Sequence, residues 1–198
     1  MGCCSSTAAA ADTNTNEAAH NNNLYGNNIE MTSPDNINID IDTDISNNYG
    51  IYIPKDRKLI SKFVPPIHKG VVISVYDGDT ITIVCNMPWD KTTAYKFSVR
   101  IRQIDCPEMR TRNPVEKKMA KLAKQLVVDT CLNKAVYLSN ISYDKYGRIL
   151  ADVVETETNI NIGNLLVEHG LAVVYNGGTK NAPDNWETHY NAKQALLK

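Results

Sequence analysis

Asp79, Arg100, Asp105 and Glu108 stand at the ends of alternating apolar sequence between Tyr76 and Glu108. The stretch opens with Asp77-Gly78-Asp79-Thr80 and closes with Arg100-Ile101-Arg102-Gln103-Ile104-Asp105-Cys106-Pro107-Glu108. Carboxylates are hard oxygen ligands that suit Ca²⁺ or Mg²⁺ far better than a soft or redox-active metal. Arg100 shares a run with Asp105, and a guanidinium beside a divalent ion is a set suited to a phosphate group.

The elements that must position these residues follow from periodicity. Val71 to Tyr76 and Thr80 to Cys85 alternate as half-buried strands do. The Asp77-Gly78 step between them reads as a bend or bulge, with Gly78 supplying a backbone conformation closed to other residues. Met87-Pro88-Trp89-Asp90 is a turn, and Tyr95 to Ile104 is a third strand that Pro107 ends. Asn113-Pro114-Val115-Glu116 starts a helix: Asn113 caps, Pro114 fits the first position and Glu116 completes a capping box. Its apolar face reads as Val115, Met119, Leu122, Ala123, Leu126 and Val127, with Lys117, Lys118, Lys121 and Lys124 as solvated surface. Ala135 to Ile141 and Arg148 to Val154 form a hairpin around Tyr143-Asp144-Lys145-Tyr146-Gly147. Ile160 to His169 is a short helix stopped by Gly170, Leu171 to Tyr175 is extended, and Asp184-Asn185-Trp186-Glu187 opens a last helix. Five strands with a helix between the third and fourth give an α+β, mainly β fold: a five-stranded OB-fold barrel with three helices.

Three blocks together resemble the staphylococcal nuclease (thermonuclease) family. They are Tyr76-Asp77-Gly78-Asp79-Thr80, then Arg100 to Glu108 with its Asp105-x-Pro107-Glu108 end, then Asp144-Lys145-Tyr146-Gly147-Arg148. The resemblance covers Ile67 to the C-terminus. It implies that Asp79 and Asp105 are direct ligands of one Ca²⁺ ion. Cys106 stands where the family type has Thr and contributes a backbone carbonyl, while Asp77 lies near the ion as a turn residue. Glu108 then orients or deprotonates the attacking water, and Arg100 and Arg148 grip the phosphate and stabilise its growing charge. Lys145 and Tyr146 match a nucleotide-contacting pair, and Tyr175 an aromatic that packs near the nucleotide. The implied activity is Ca²⁺-dependent hydrolysis of DNA and RNA, preferably single-stranded or denatured, to 3′-phosphorylated products. The alternative is a non-catalytic OB-fold module that binds nucleic acid or protein. The presence of both acids, Glu108 and both arginines favours the enzyme.

The rest of the chain sets the context. Its 198 residues, 42% hydrophobic and 22% charged, suit one globular domain plus extensions. Residues 1–66 carry four Lys/Arg against eight Asp/Glu, and the remainder 17 against 14, so a mildly basic body follows an acidic tail. No apolar run reaches the length of a membrane span, and no secretory signal opens the chain. Five unpaired-looking cysteines fit a reducing compartment. Gly2, followed by Cys3, Cys4 and Ser6, matches the N-myristoylation pattern, with Cys3 and Cys4 placed for palmitoylation. These lipids would tether the protein, as a monomer without an obligate protein partner, to the cytoplasmic face of a membrane, the plasma membrane being the expected one. Residues 1–48 read as a disordered Asn-rich tail, within which Ile37 to Ile45 keep a strand-like period. Residues 49–66 read as a linker docking on the domain at 67–198.

Overall fold

The computed structural model describes residues 40–178 and 181–197. The chain divides into two compact units, Met1–Ser61 and Lys62–Lys198. In the first, helix α1 spans Thr43–Tyr49, and residues 57–59 form a single 3-10 turn. The tail reading therefore ends too late. α1 has poor intrinsic helix propensity, and tertiary bonds sustain it: Ile53 N donates to Ser46 Oγ at 3.1 Å, and Asp42 N donates to Ile53 O at 2.8 Å. The isoleucine run makes no strand over its described part, because Ile41 forms a single bridge with Pro54 and helix begins at Thr43. Ile37 and Ile39 lie outside the described residues.

The second unit is the OB-fold barrel expected from the strand order. Strands β1 (Lys69–Val75), β2 (Thr80–Met87), β3 (Asp90–Ile101), β5 (Ala135–Tyr143) and β6 (Ile149–Glu155) close in the order β1-β2-β3-β6-β5. Only β3 and β6 run parallel. Alternation fills the interior with Val72, Ile81, Ile83, Val99, Ile101, Val136, Ile149 and Val153. A register shift between Val72 and Ser74 puts Ile73 and Ser74 outward in succession and returns Val75 to the core. Ahead of β1, Phe63 packs at 6.4 Å from Trp89, and Pro65 and Ile67 are buried.

Helix α2 (Pro114–Cys131) buries Met119, Ala120, Ala123, Val127 and Cys131, of which Ala123, Val127 and Cys131 join the barrel core. The buried stripe is rotated from the expected one, leaving Leu122 38% exposed, because small Ala120 and Ala123 allow closer approach than leucine would. Short strands β4 (Ile104–Asp105) and β7 (Val173–Val174) pair beside the barrel. Helix α3 (Ile162–Glu168) ends at Gly170, whose φ of +70° closes its last turn. Helix α4 (Trp186–Leu196) is capped by Asn185 and tied to α2 by Lys118 and Glu187 at 2.6 Å. Among the described residues, no helix is long and apolar enough to cross a membrane.

Candidate active site

Asp79 arrives on a tight turn between β1 and β2. Asp77 Oδ1 accepts the Asp79 N–H at 3.2 Å, and Tyr76 N donates to Thr80 O at 2.9 Å. Gly78 is required here for a reason other than the expected one. Its φ is not positive. A Cβ would lie 2.8 Å from Ala123 Cβ and 2.9 Å from Cys106 Sγ, so close approach to α2 and Cys106 excludes a side chain.

Asp105 arrives from the other side. The third strand is not continuous to Ile104: it stops at Ile101, and Arg102-Gln103 reverse the chain, with Gln103 at a φ of 59°. This reversal folds Asp105 back onto Arg100. One guanidinium then bridges both acids, with Nη1 at 2.6 Å from Asp79 Oδ1 and Nη2 at 3.2 Å from Asp105 Oδ1. Nη2 also donates to Ile104 O at 3.3 Å. Both acids are buried, and Thr80 Oγ1 donates to Asp79 Oδ1 at 2.9 Å.

This corner carries more negative charge than Arg100 neutralises. Burial pushes the Asp79 carboxyl up to about 6; Arg100 pulls it down, and Asp77 pushes it up again. The Cys106 thiol is pushed well above its usual value, first by burial and then by Asp79 and Asp77. It stays protonated and supplies no soft thiolate. Among the described residues, no group of three or more His, Cys, Asp or Glu side chains is arranged to hold a metal ion. The fit to a cation therefore rests on two carboxylates, a surplus of negative charge and main-chain oxygen. That donor set would suit a hard ion, with backbone oxygen and water supplying its remaining ligands, and would not suit a soft one.

The hairpin between β5 and β6 supplies the opposite wall. Asp144 Oδ2 holds Arg148 Nε at 2.6 Å, while its Oδ1 accepts the N–H groups of Tyr146 at 2.8 Å and Arg148 at 2.9 Å. Burial acts to raise Asp144, but these bonds outweigh it and hold the carboxyl below its ordinary value. Gly147 turns the loop with a φ of +80°. Lys145 Nζ and the Arg148 guanidinium lie 5.0 and 5.5 Å from the Tyr146 ring, which is 72% exposed. Tyr175 follows β7; its N–H donates to Gln103 O at 2.8 Å and its hydroxyl to Gly178 O at 3.1 Å.

A cleft of about 880 Å³ gathers Asp79, Arg100, Cys106, Glu108, Lys145, Tyr146, Arg148 and Tyr175 into its lining. Asp105 lies beneath, reached through Arg100. Gly2, Cys3 and Cys4 lie outside the described residues. The sequence reading missed Tyr76, Arg102, Gln103 and Asn176 as lining residues, and Asp144 as the clamp on Arg148. The available signal for Asp144 was its place four residues before Arg148 across a glycine turn.

Residues 98–196, half of the chain, match the family described as staphylococcal nuclease homologue. The chain belongs to that family. No curated protein matches it. Arg100, Asp105, Cys106, Glu108 and Arg148 fall within the nuclease-family match, and Asp79 precedes it. What places Asp79 in the site is the barrel itself: β2 pairs with β3 so that Thr80 lies opposite Arg100, and the ion pair follows.

Proposed function

We propose that this domain hydrolyses phosphodiester bonds of DNA and RNA in a Ca²⁺-dependent manner. The observation that carries this reading is Arg100 bridging two buried acids at the floor of a cleft whose walls hold Glu108 and Arg148. The Asp79 and Asp105 carboxylates and the Cys106 main-chain carbonyl would hold Ca²⁺, which when bound supplies Lewis-acid neutralisation of the phosphate. Glu108, exposed on the cleft rim, takes a proton from the attacking water. Arg148, oriented by Asp144, donates to the phosphate oxygens on which negative charge grows, and Arg100 offers the N–H groups its acids leave over. Lys145, Tyr146 and Tyr175 present cationic and aromatic faces to a nucleotide, which suits unpaired strands whose bases are free to stack. Cleavage of the 5′ P–O bond leaves 3′-phosphorylated products.

A binding-only OB-fold module would need neither Glu108 nor the buried acids. Glu108→Gln separates the two readings. Turnover of denatured DNA should fall roughly 10²- to 10⁴-fold while binding of the same DNA persists. Activity close to wild type would remove Glu108 from the reaction.

The N-terminal motif supports tethering to the cytoplasmic face of a membrane, with the plasma membrane as the expected site, where the protein would act as a monomer. One myristoyl chain on Gly2 binds weakly, and palmitate on Cys3 or Cys4 makes the attachment stable. Gly2→Ala should release the protein to the soluble fraction. Continued sedimentation with membranes would contradict the anchor.

A further inference from the structure

We propose that Glu116 is a positioning residue for Glu108, holding the loop that carries the water-activating carboxylate; this rests on the nuclease reading above. Glu116 sits in the first turn of α2, where the sequence suggested a capping box closed onto Asn113 N. The structure uses it differently. Asn113 caps the helix alone, its Oδ1 accepting from Val115 N at 2.9 Å and Glu116 N at 3.3 Å. The Glu116 carboxylate turns instead to the preceding loop. Oε1 accepts the backbone N–H of Glu108 at 3.1 Å, and Oε2 accepts the Thr111 hydroxyl at 2.6 Å. The Thr111 oxygen in turn accepts Asn113 N–H at 3.2 Å.

Both oxygens of one carboxylate therefore pin the loop between Pro107 and Asn113 at two points. One of those points is the amide of Glu108 itself. The anchor is firm, because α2 packs into the barrel core through Ala123, Val127 and Cys131. The same helix abuts Gly78, in the turn that delivers Asp79, through Ala123. α2 thus sets the distance between the loop bearing Glu108 and the acids on the cleft floor. A general base must sit within hydrogen-bond reach of the water it deprotonates, so a loop free to move by about 1 Å loses rate rather than affinity.

The discriminating experiment compares Glu116→Ala, Glu116→Gln, Thr111→Val, Asn113→Ala and Glu108→Gln in the full-length protein. It measures kcat and KM on denatured DNA with Ca²⁺, and amide hydrogen exchange at Glu108. Glu116→Ala should lower kcat roughly 10- to 100-fold, leave KM within about threefold and abolish protection of the Glu108 amide. Thr111→Val and Glu116→Gln, each keeping one arm, should fall between it and wild type. Asn113→Ala weakens the start of the same helix but leaves both bonds to Glu116, so kcat should hold. The added loss from Glu116→Ala in the Glu108→Gln background should vanish. If Asn113→Ala lowers kcat as much as Glu116→Ala, or Glu116→Ala leaves kcat intact while Glu108→Gln abolishes it, Glu116 only supports the helix and the proposal is wrong. If Glu108→Gln itself stays active, the base assignment fails instead.

Discussion

Asp79 and Glu155 are both buried carboxylates in one small barrel, and their surroundings drive them in opposite directions. Glu155 is fully enclosed at the end of β6. Its oxygens accept from Thr158 Oγ1 at 2.5 Å, Thr158 N at 2.8 Å and Glu157 N at 3.0 Å. The Thr158 hydroxyl first, and then these two N–H groups, hold its carboxyl down to about 2. All its donors lie within three residues of it in the chain, so the acid locks its own turn. Asp79 has Thr80 and a share of one guanidinium, with Asp77 beside it, and burial lifts it to about 6. A satisfied buried acid serves the scaffold. One left short of compensating charge, facing a cleft, fits the proposed cation site.

The largest test of this contrast is Arg100→Leu. It leaves Asp79 and Asp105 buried without the guanidinium that bridges them, and the fold should lose about 3–5 kcal/mol in denaturant unfolding without Ca²⁺. A loss near zero would mean that water already screens the two acids and that the corner holds no surplus charge.

Asp79→Asn and Glu155→Gln should then part company. Asp79→Asn relieves a charge that the fold holds at a cost, so in chelator at neutral pH its stability should equal or exceed wild type, while Ca²⁺-dependent turnover falls at least roughly 100-fold. Glu155→Gln should lower stability and leave kcat per folded molecule unchanged. The pH dependences have opposite signs. With its folded value raised, Asp79 costs the fold stability as pH rises from its ordinary 3.8 through about 6. With its folded value lowered, Glu155 adds stability above its ordinary 4.5, lost as pH falls from there through about 2. Unfolding curves across pH in chelator check both: each substitution should flatten its own window alone.

The barrel was legible in the sequence because each strand faces one core, and the period of two resumes at Val75 after the bulge breaks it at Ile73 and Ser74. The helix starts were legible because Asn113 and Asn185 are local signals, and local donors satisfy them. The gathering of Asp79, Arg100 and Glu108 was legible only from the three-block resemblance, since nothing in the spacing alone makes distant strands adjacent. The reversal at Arg102-Gln103 was not legible. Gln103 takes a φ of 59° without the glycine or asparagine that usually marks such a turn, because the β4–β7 pairing around it enforces that shape. Glu116 matched a capping box by pattern, yet tertiary partners at Glu108 and Thr111 won its carboxylate. Gly78 was recognised as obligatory for the wrong cause, because a close approach by α2 leaves no trace in local sequence.

Gly78→Ala gives the smallest effect and sharpens the last point. A methyl placed 2.8 Å from Ala123 Cβ must push α2 or the Asp77–Asp79 turn aside, costing about 1–3 kcal/mol. Thermal unfolding measures it. Adding Ala123→Gly should recover part of the loss, whereas a left-handed backbone requirement would leave the double variant no better.

The most direct measurement is cleavage of denatured DNA by the purified full-length protein in Ca²⁺, in excess chelator, and in chelator followed by restored Ca²⁺, with the ends of the products identified. Cleavage to 3′-phosphate ends is expected in Ca²⁺, none in chelator and full recovery on adding Ca²⁺ back, with Asp79→Asn inactive throughout. Wild-type protein that binds the DNA yet leaves it intact in Ca²⁺, or that cuts equally well in chelator, would contradict it.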